Sequence, residues 1–457
     1  MTTVLDELDP LAPPPPPDAP IDPVLGRPLR PAPPERPKFN PDWTPARHRL
    51  LDGWVDVRDR LPDTDGIVAR AKDHLWVGDP EMDAVVRMFR RLPTRKGREL
   101  FERALDFGLD TIEDPPHELV ALFEHIDNPP AWITEERVDR GAIVANSVTP
   151  AGKASLIFLN TLATVQGGSV GDAVGTMGRM QRDMINRSLE SAEFWLHLPA
   201  PGALDRFGTA FKNAVRVRLM HAQARMVLRK KWGEEWVAEH GVPISNAEMS
   251  GGIPSFGVAN LMYDINYGRR FDYRDLEDLN VFWSYIGHIM GIREAVIPRN
   301  FAEAVELLDY GYAVMEPPSQ YAEALNDVSE MMLDTLMDKV RVPVIDAQVK
   351  SAIHQALHGL YFFIGGQFLG RRITGTPEPT RIGRLAPKLI TAQIRLANLD
   401  RRIPGYWKRA DRRRAKGDTY WAVMHEAFTK LAAEKDGRRG PTFAGHDRRV
   451  EALGEAG

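Results

Sequence analysis

From about Pro45 to Arg401, apolar residues recur three and four positions apart, and this spacing limits what the chain can fold into. Segments such as Glu81–Leu92 (EMDAVVRMFRRL), Lys96–Gly108 (KGRELFERALDFG) and Glu303–Met315 (EAVELLDYGYAVM) each put one apolar stripe on a helix. Breakers separate them: Asp114-Pro115-Pro116, Asn128-Pro129-Pro130, Pro199-Ala200-Pro201-Gly202 and Pro317-Pro318. Runs of β-branched residues alternating with polar ones are scarce. The pattern predicts an all-α protein of roughly a dozen helices or more, with no fixed-period repeat.

The ends differ from this middle. Fifteen of the 36 prolines lie in Met1–Pro45. Such a segment buries little apolar surface, so residues 1–45 are expected to be a disordered, partly polyproline II arm. Residues 46–405 form the helical domain. Residues 406–457 turn strongly charged, with Lys408-Arg409 and Arg412-Arg413-Arg414, and read as a peripheral helix and tail. That basic run is a solvated face, or else a weak contact with an anionic membrane surface.

Composition removes several chemistries. The chain has no cysteine, so disulfides, thiolate metal sites and a cysteine nucleophile are excluded. Its 59 Lys and Arg against 63 Asp and Glu give a net charge of −4, which argues against a nucleic-acid partner. The first residues, MTTVLDELDP, carry no basic-then-apolar signal, so the expected compartment is the cytoplasm. The most apolar window, Ala352–Leu369, includes His354, Gln355, His358 and Gln367. It reads as a buried helix, so no integral membrane segment is expected.

Four groups of residues carry candidate chemistry. His354 and His358 stand four apart, as in a zinc protease, but Gln355 replaces the carboxylate that such chemistry needs, which discounts it. The glycine-rich stretch Gly167–Gly178 lacks a phosphate-loop lysine and a G-x-G-x-x-G spacing; its small residues suit close approach of a helix or flat cofactor. In Ala214–Lys230, Arg218, His221 and Arg225 share one helix face with small and apolar neighbours. Two readings stand for that face: arginines paired with carboxylates around a core histidine, or a haem site with imidazole on iron and arginines on propionates. In Asn186–Trp195, Arg187, Glu190 and Ser191 share a face beside Phe194 and Trp195. They form either a surface ion pair or a polar wall able to hydrogen-bond dioxygen.

Taken together, Arg187-x-x-Glu190-Ser191-x-x-Phe194-Trp195, Arg216-Val-Arg218-Leu-Met-His221-Ala-x-x-Arg225, Val242-Pro-Ile-Ser-Asn246 and Phe282-Trp-Ser-Tyr-Ile-Gly287-His288-Ile-Met-Gly291 resemble one family. It is that of latex-clearing protein (rubber oxygenase) and the endoplasmic-reticulum-bound oxygenase of mycophenolic acid synthesis. The similarity runs over roughly Asp79–Arg401. The resemblance implies a globin-like multi-helix core with extra helices, and haem b as cofactor. It matches His221 to the iron ligand, Arg218 and Arg225 to the arginines flanking that ligand, and Arg187, Glu190 and Ser191 to the distal polar positions. Asp172 stands near the spacing of a base suspected in rubber oxygenase. The implied activity is dioxygen-dependent cleavage of a carbon–carbon double bond in a small apolar, isoprenoid-like alkene. Rubber oxygenase has Lys where this chain has Glu190 and Thr where it has Ser191. The alternative is a haem-binding sensor or carrier without turnover, in which His197 or His288 could add a second axial ligand.

Overall fold

The computed structural model describes residues 8–36, 38, 47–48, 51, 66–93, 95–155, 168–177, 184–314, 320–321, 347–374 and 378–436. Helices dominate them, in the order α1 (Gly66–Asp73), α2 (Pro80–Arg91), α3 (Lys96–Phe107), α4 (His117–Asp127), α5 (Glu135–Asn146), α6 (Pro150–Ser155), α7 (Gly168–Met177), α8 (Met184–His197) and α9 (Thr209–His240). They continue with α10 (Asn246–Ile253), α11 (Ala259–Asn266), α12 (Tyr273–Ile289), α13 (Phe301–Ala313), α14 (Ala347–Thr374), α15 (Arg381–Arg402), α16 (Tyr406–Ala415) and α17 (Thr419–Asp436). Among the described residues, β-type pairing is limited to the isolated bridges Leu8–Val77 and Ile21–Pro28. The all-α expectation therefore holds.

Helix starts follow local chemistry. Asp79 caps α2, its carboxylate accepting from Met82 N–H at 3.3 Å, and Pro80 takes the first turn, where its missing donor costs nothing. Ser245 and Glu248 form a capping box on α10. Asn300 caps α13 and Thr380 caps α15. Inside α9, Gly233 has a positive φ and interrupts the helical backbone, so the first 24 residues and the last seven run in different directions.

The core packs around Phe101, Phe123, Phe211, Phe282 and Phe301, all fully buried. Helix α12 lies against α5, and Gly141 sets their separation: a methyl there would stand 2.1 Å from the Asp278 carbonyl oxygen. Helices α14 and α15 cross as closely, since a Cβ on Gly359 would lie 1.9 Å from the carbonyl oxygen of Gly383.

Within the proline-rich arm, the described residues 8–36 depart from the expectation of disorder. Residues 8–36 form an ordered strap across the start of the helical domain. Asp9 N–H donates to the Trp76 carbonyl, and Trp76 Nε1 donates to the Pro31 carbonyl. Arg27 makes a two-pronged contact with the buried Asp73 at 2.9 and 2.7 Å, and Arg36 reaches Glu248. Scattered Asp, Arg and backbone groups hold the segment here. Proline lowers the entropy that ordering it removes. The charged C-terminal region also docks. Arg414 is buried against Asp139, and Trp421 of α17 stacks on Trp195 of α8 with ring centroids 5.8 Å apart.

Candidate active site

Helix α9 carries the central constellation. Arg218 is fully buried and donates to both Asp79 oxygens at 2.7 Å, with Glu81 at 3.5 Å. Burial alone would raise the Asp79 pKa. The charge and hydrogen bonds of Arg218, helped by Arg225 and Arg293, outweigh it and hold the carboxyl below its ordinary range. Two turns on, Arg225 binds Asp83 at 2.5 Å and the Ile244 carbonyl at 3.0 Å. Burial wins at Asp83, whose pKa is raised. Both guanidinium groups thus clamp α9 to the start of α2.

The signature residues Asn246 and Gly291 complete this clamp. Asn246 donates to the carbonyls of Gly78 and Gly291 and accepts from Arg293 N–H at 2.9 Å. Arg293 reaches Glu81 at 2.8 Å. Gly291 has φ +86°, and a Cβ there would lie 2.5 Å from Arg218 Nε. Only glycine suits both the conformation and the space. Sequence reasoning missed Asp79, Glu81, Asp83 and Arg293. The available signal was the Asp79-Pro80 helix start, which marks a cap and gives no hint of its second partner.

His221 lies between the two clamped arginines, half-buried, with the fully buried Ala222 beside it. Helices α7 and α8 both pack on α9. Helix α7 is the glycine-rich segment. A Cβ on Gly175 would fall 2.1 Å from the Tyr321 ring, so the missing side chain admits an aromatic ring. Asp172 lies on this helix.

On α8, Glu190 is almost fully buried. Arg187 and Ser191 share its helical face by register, while their side chains lie outside the described residues. The C-terminal end of α8 enters an aromatic cluster, with Trp195 at 5.5 Å from both Phe256 and Trp283. This cluster borders a cavity of about 30 Å³ that also meets the buried Lys153–Asp418 ion pair.

His125, His288, His354 and His358 are engaged elsewhere. His288 stacks on His125 at 4.7 Å, and its Nε2 lies 3.2 Å from the Ile126 carbonyl. Burial pushes His288 down to about 4, so it stays neutral. His354 and His358 sit edge-on, 6.4 Å apart, on α14. Among the described residues no three His, Asp or Glu converge as a metal-binding group. An imidazole placed like that of His221 suits a metal that brings its other ligands with it. Half-burial and the small neighbour Ala222 fit the approach of a flat group.

Asp264, on α11, gives a measurable pH signature near this region. It is fully buried and accepts Thr149 N–H at 2.9 Å and the Thr149 hydroxyl at 2.6 Å. Burial prevails over these bonds and raises its pKa from 3.8 to about 6. Between those values the folded state binds more protons than the unfolded state. The contribution is full below pH 3.8 and is lost as pH rises through about 6. Asp264→Asn removes that titration. The stability of the variant relative to wild type should therefore improve by up to about 3 kcal/mol between pH 4 and pH 7. Urea denaturation at a series of pH values reads this; parallel curves would refute it.

This arrangement has a known counterpart in fold. The structure of latex clearing protein LCP in the closed state superposes with a TM-score of 0.55 at 18% identity, covering 78% of this chain and 90% of that one. The molecule therefore has the helical fold seen in that protein. Residues 156–381 match the family model described as ER-bound oxygenase mpaB/B'/Rubber oxygenase, catalytic domain. The matched residues therefore form a rubber-oxygenase-like catalytic domain. No curated protein matches its sequence.

Proposed function

We propose that this protein is a haem b-dependent oxygenase that uses dioxygen to cleave a carbon–carbon double bond in a small apolar, isoprenoid-like alkene. One observation carries the reading. The family-matched stretch contains both the Glu190 helix and the His221 helix, and the two pack side by side. The iron of haem b would supply the oxygen-activating centre.

His221 would hold that iron through one imidazole nitrogen. Arg218 and Arg225 act on the site through α9: with their charges met by Asp79 and Asp83, they fix the height and rotation of the helix on which His221 sits. Arg187 and Ser191 orient the oxygen by hydrogen bonding. Glu190, a buried carboxylate, moves a proton at its side-chain oxygens. Phe194, Trp195 and Met184 supply apolar surface for the alkene. With no cysteine in the chain, thiolate ligation is excluded, so the distal polar groups assume more of the work on the O–O bond.

An absorption spectrum of the purified protein, with and without dithionite, tests the proposal. A Soret band that shifts on reduction, together with alkene-dependent oxygen consumption, supports it. Haem held by two strong axial ligands without oxygen consumption would instead indicate a sensor or carrier. A folded, colourless protein after expression with ample haem refutes the cofactor.

A further inference from the structure

Helix α15 exposes an apolar stripe that its packing does not explain. Ile382, Leu385, Leu389, Leu396, Leu399 and Ile403 are each 44 to 67% exposed. They recur in alternating steps of three and four, with Ala392 completing the series, so they form one straight seam along six turns. The opposite face is the packed one: Gly383, Pro387 and Ile394 are buried, and the Gly359–Gly383 crossing with α14 fixes the rotation. The stripe therefore cannot turn inward without separating α14 from α15.

One edge of the stripe is mostly basic, interrupted by Thr391 and Asn398. Arg381, Arg384, Lys388, Arg395 and Arg402 each precede a stripe residue or share its edge, and all are exposed. The arginines just beyond are occupied: Arg401 with Asp272 and Asp275, and Arg409 and Arg413 with Asp400. Asp400, the acidic residue of α15, is thereby neutralised. Trp407 follows Ile403 at the surface, where an amphipathic ring suits an interface.

We propose that α15 is a docking face for anionic lipid surface, its leucine stripe entering the headgroup boundary and its basic edge meeting negative headgroups. Charge selects this occupant. A second copy of the chain would need an acidic row to meet the basic one, and Asp400 is the one carboxylate of this helix. A long basic side chain can lay its stem along apolar surface while its head reaches phosphate. Among the described residues no helix is long and apolar enough to cross a membrane, so this contact is peripheral. The surface is distinct from the run Lys408–Arg414, where Arg409, Arg413 and Arg414 are consumed in ion pairs.

Co-sedimentation of the full chain with phosphatidylcholine vesicles, with and without phosphatidylserine, tests this. Binding is expected only with the anionic lipid, and it should weaken by about tenfold or more as salt is raised. Leu389→Glu with Leu396→Glu should abolish it. Arg384→Gln with Lys388→Gln and Arg395→Gln should weaken it by about tenfold or more while leaving the melting temperature unchanged. No binding at low salt overturns the proposal, as does binding indifferent to both sets of substitutions. A concentration-dependent dimer dissolved by the leucine substitutions, without vesicle binding, would assign the stripe to a second copy and overturn it equally.

Discussion

Asp79→Asn should cost about 3–5 kcal/mol of unfolding free energy, because it leaves the Arg218 guanidinium buried without its anion. The substitution is chosen to isolate the charge. Asparagine caps a helix as well as aspartate does, so the bond to Met82 N–H survives. Arg218→Met should cost a similar amount by stranding the carboxylate. The double variant should lose clearly less than the sum of the two, since neither group is then left uncompensated. Denaturant titration of the four proteins measures the cycle; strict additivity would refute a coupled pair. The pH dependence has a definite sign. The folded-state pKa of Asp79 is lowered, so its contribution is present above the unfolded carboxylate value of 3.8 and is lost as pH falls through the folded value. Wild type should therefore lose more stability on acidification than Asp79→Asn does. A conserved difference between the two at all pH values would contradict this.

The clamp also shows where sequence reading stops. Helix α2 was legible in advance: the spacing predicts Glu81–Leu92, and the helix runs Pro80–Arg91. Periodicity and capping are local, so a short window contains them. The face shared by Arg218, His221 and Arg225 was legible for the same reason. The identity of the partners was not. Asp79 lies 139 residues before Arg218, and no window that reads helix spacing spans that distance. Both readings of the arginines therefore remained open until the fold placed carboxylates on them.

The N-terminal strap failed for a related reason. Proline content signals low apolar burial, which argues for disorder. The partners that order the strap are Asp73, Trp76, Arg229 and Glu248, lying 43 to 220 positions away from the strap residues they meet. The sequence pattern could report how little the segment buries, but not which distant groups its few polar residues would meet. The C-terminal helix repeats the lesson. Its charge suggested a periphery, yet Trp421 stacks on Trp195 while Arg414 and Asp418 pair with Asp139 and Lys153.

Under the proposed haem reading, His221→Ala should abolish the Soret band while leaving the far-UV circular dichroism and the denaturation midpoint close to wild type. The reasoning rests on what holds α9. Its position is set by Arg218 and Arg225 against Asp79 and Asp83, and removing a half-buried imidazole between them breaks none of those bonds. Loss of colour with retained fold would then report loss of the ligand, which a global destabilisation could not imitate. His288→Ala provides the contrast. That ring stacks on His125 and meets the Ile126 carbonyl, so its removal should lower stability by about 1–3 kcal/mol and keep the haem spectrum. Normal haem content in His221→Ala would refute the ligand. Haem loss in His288→Ala at unchanged stability would move the assignment to that residue. Arg218→Met separates the third possibility: if the arginine acts by holding the helix, haem affinity and stability fall together, whereas lost affinity at full stability would mean that Arg218 contacts the cofactor itself.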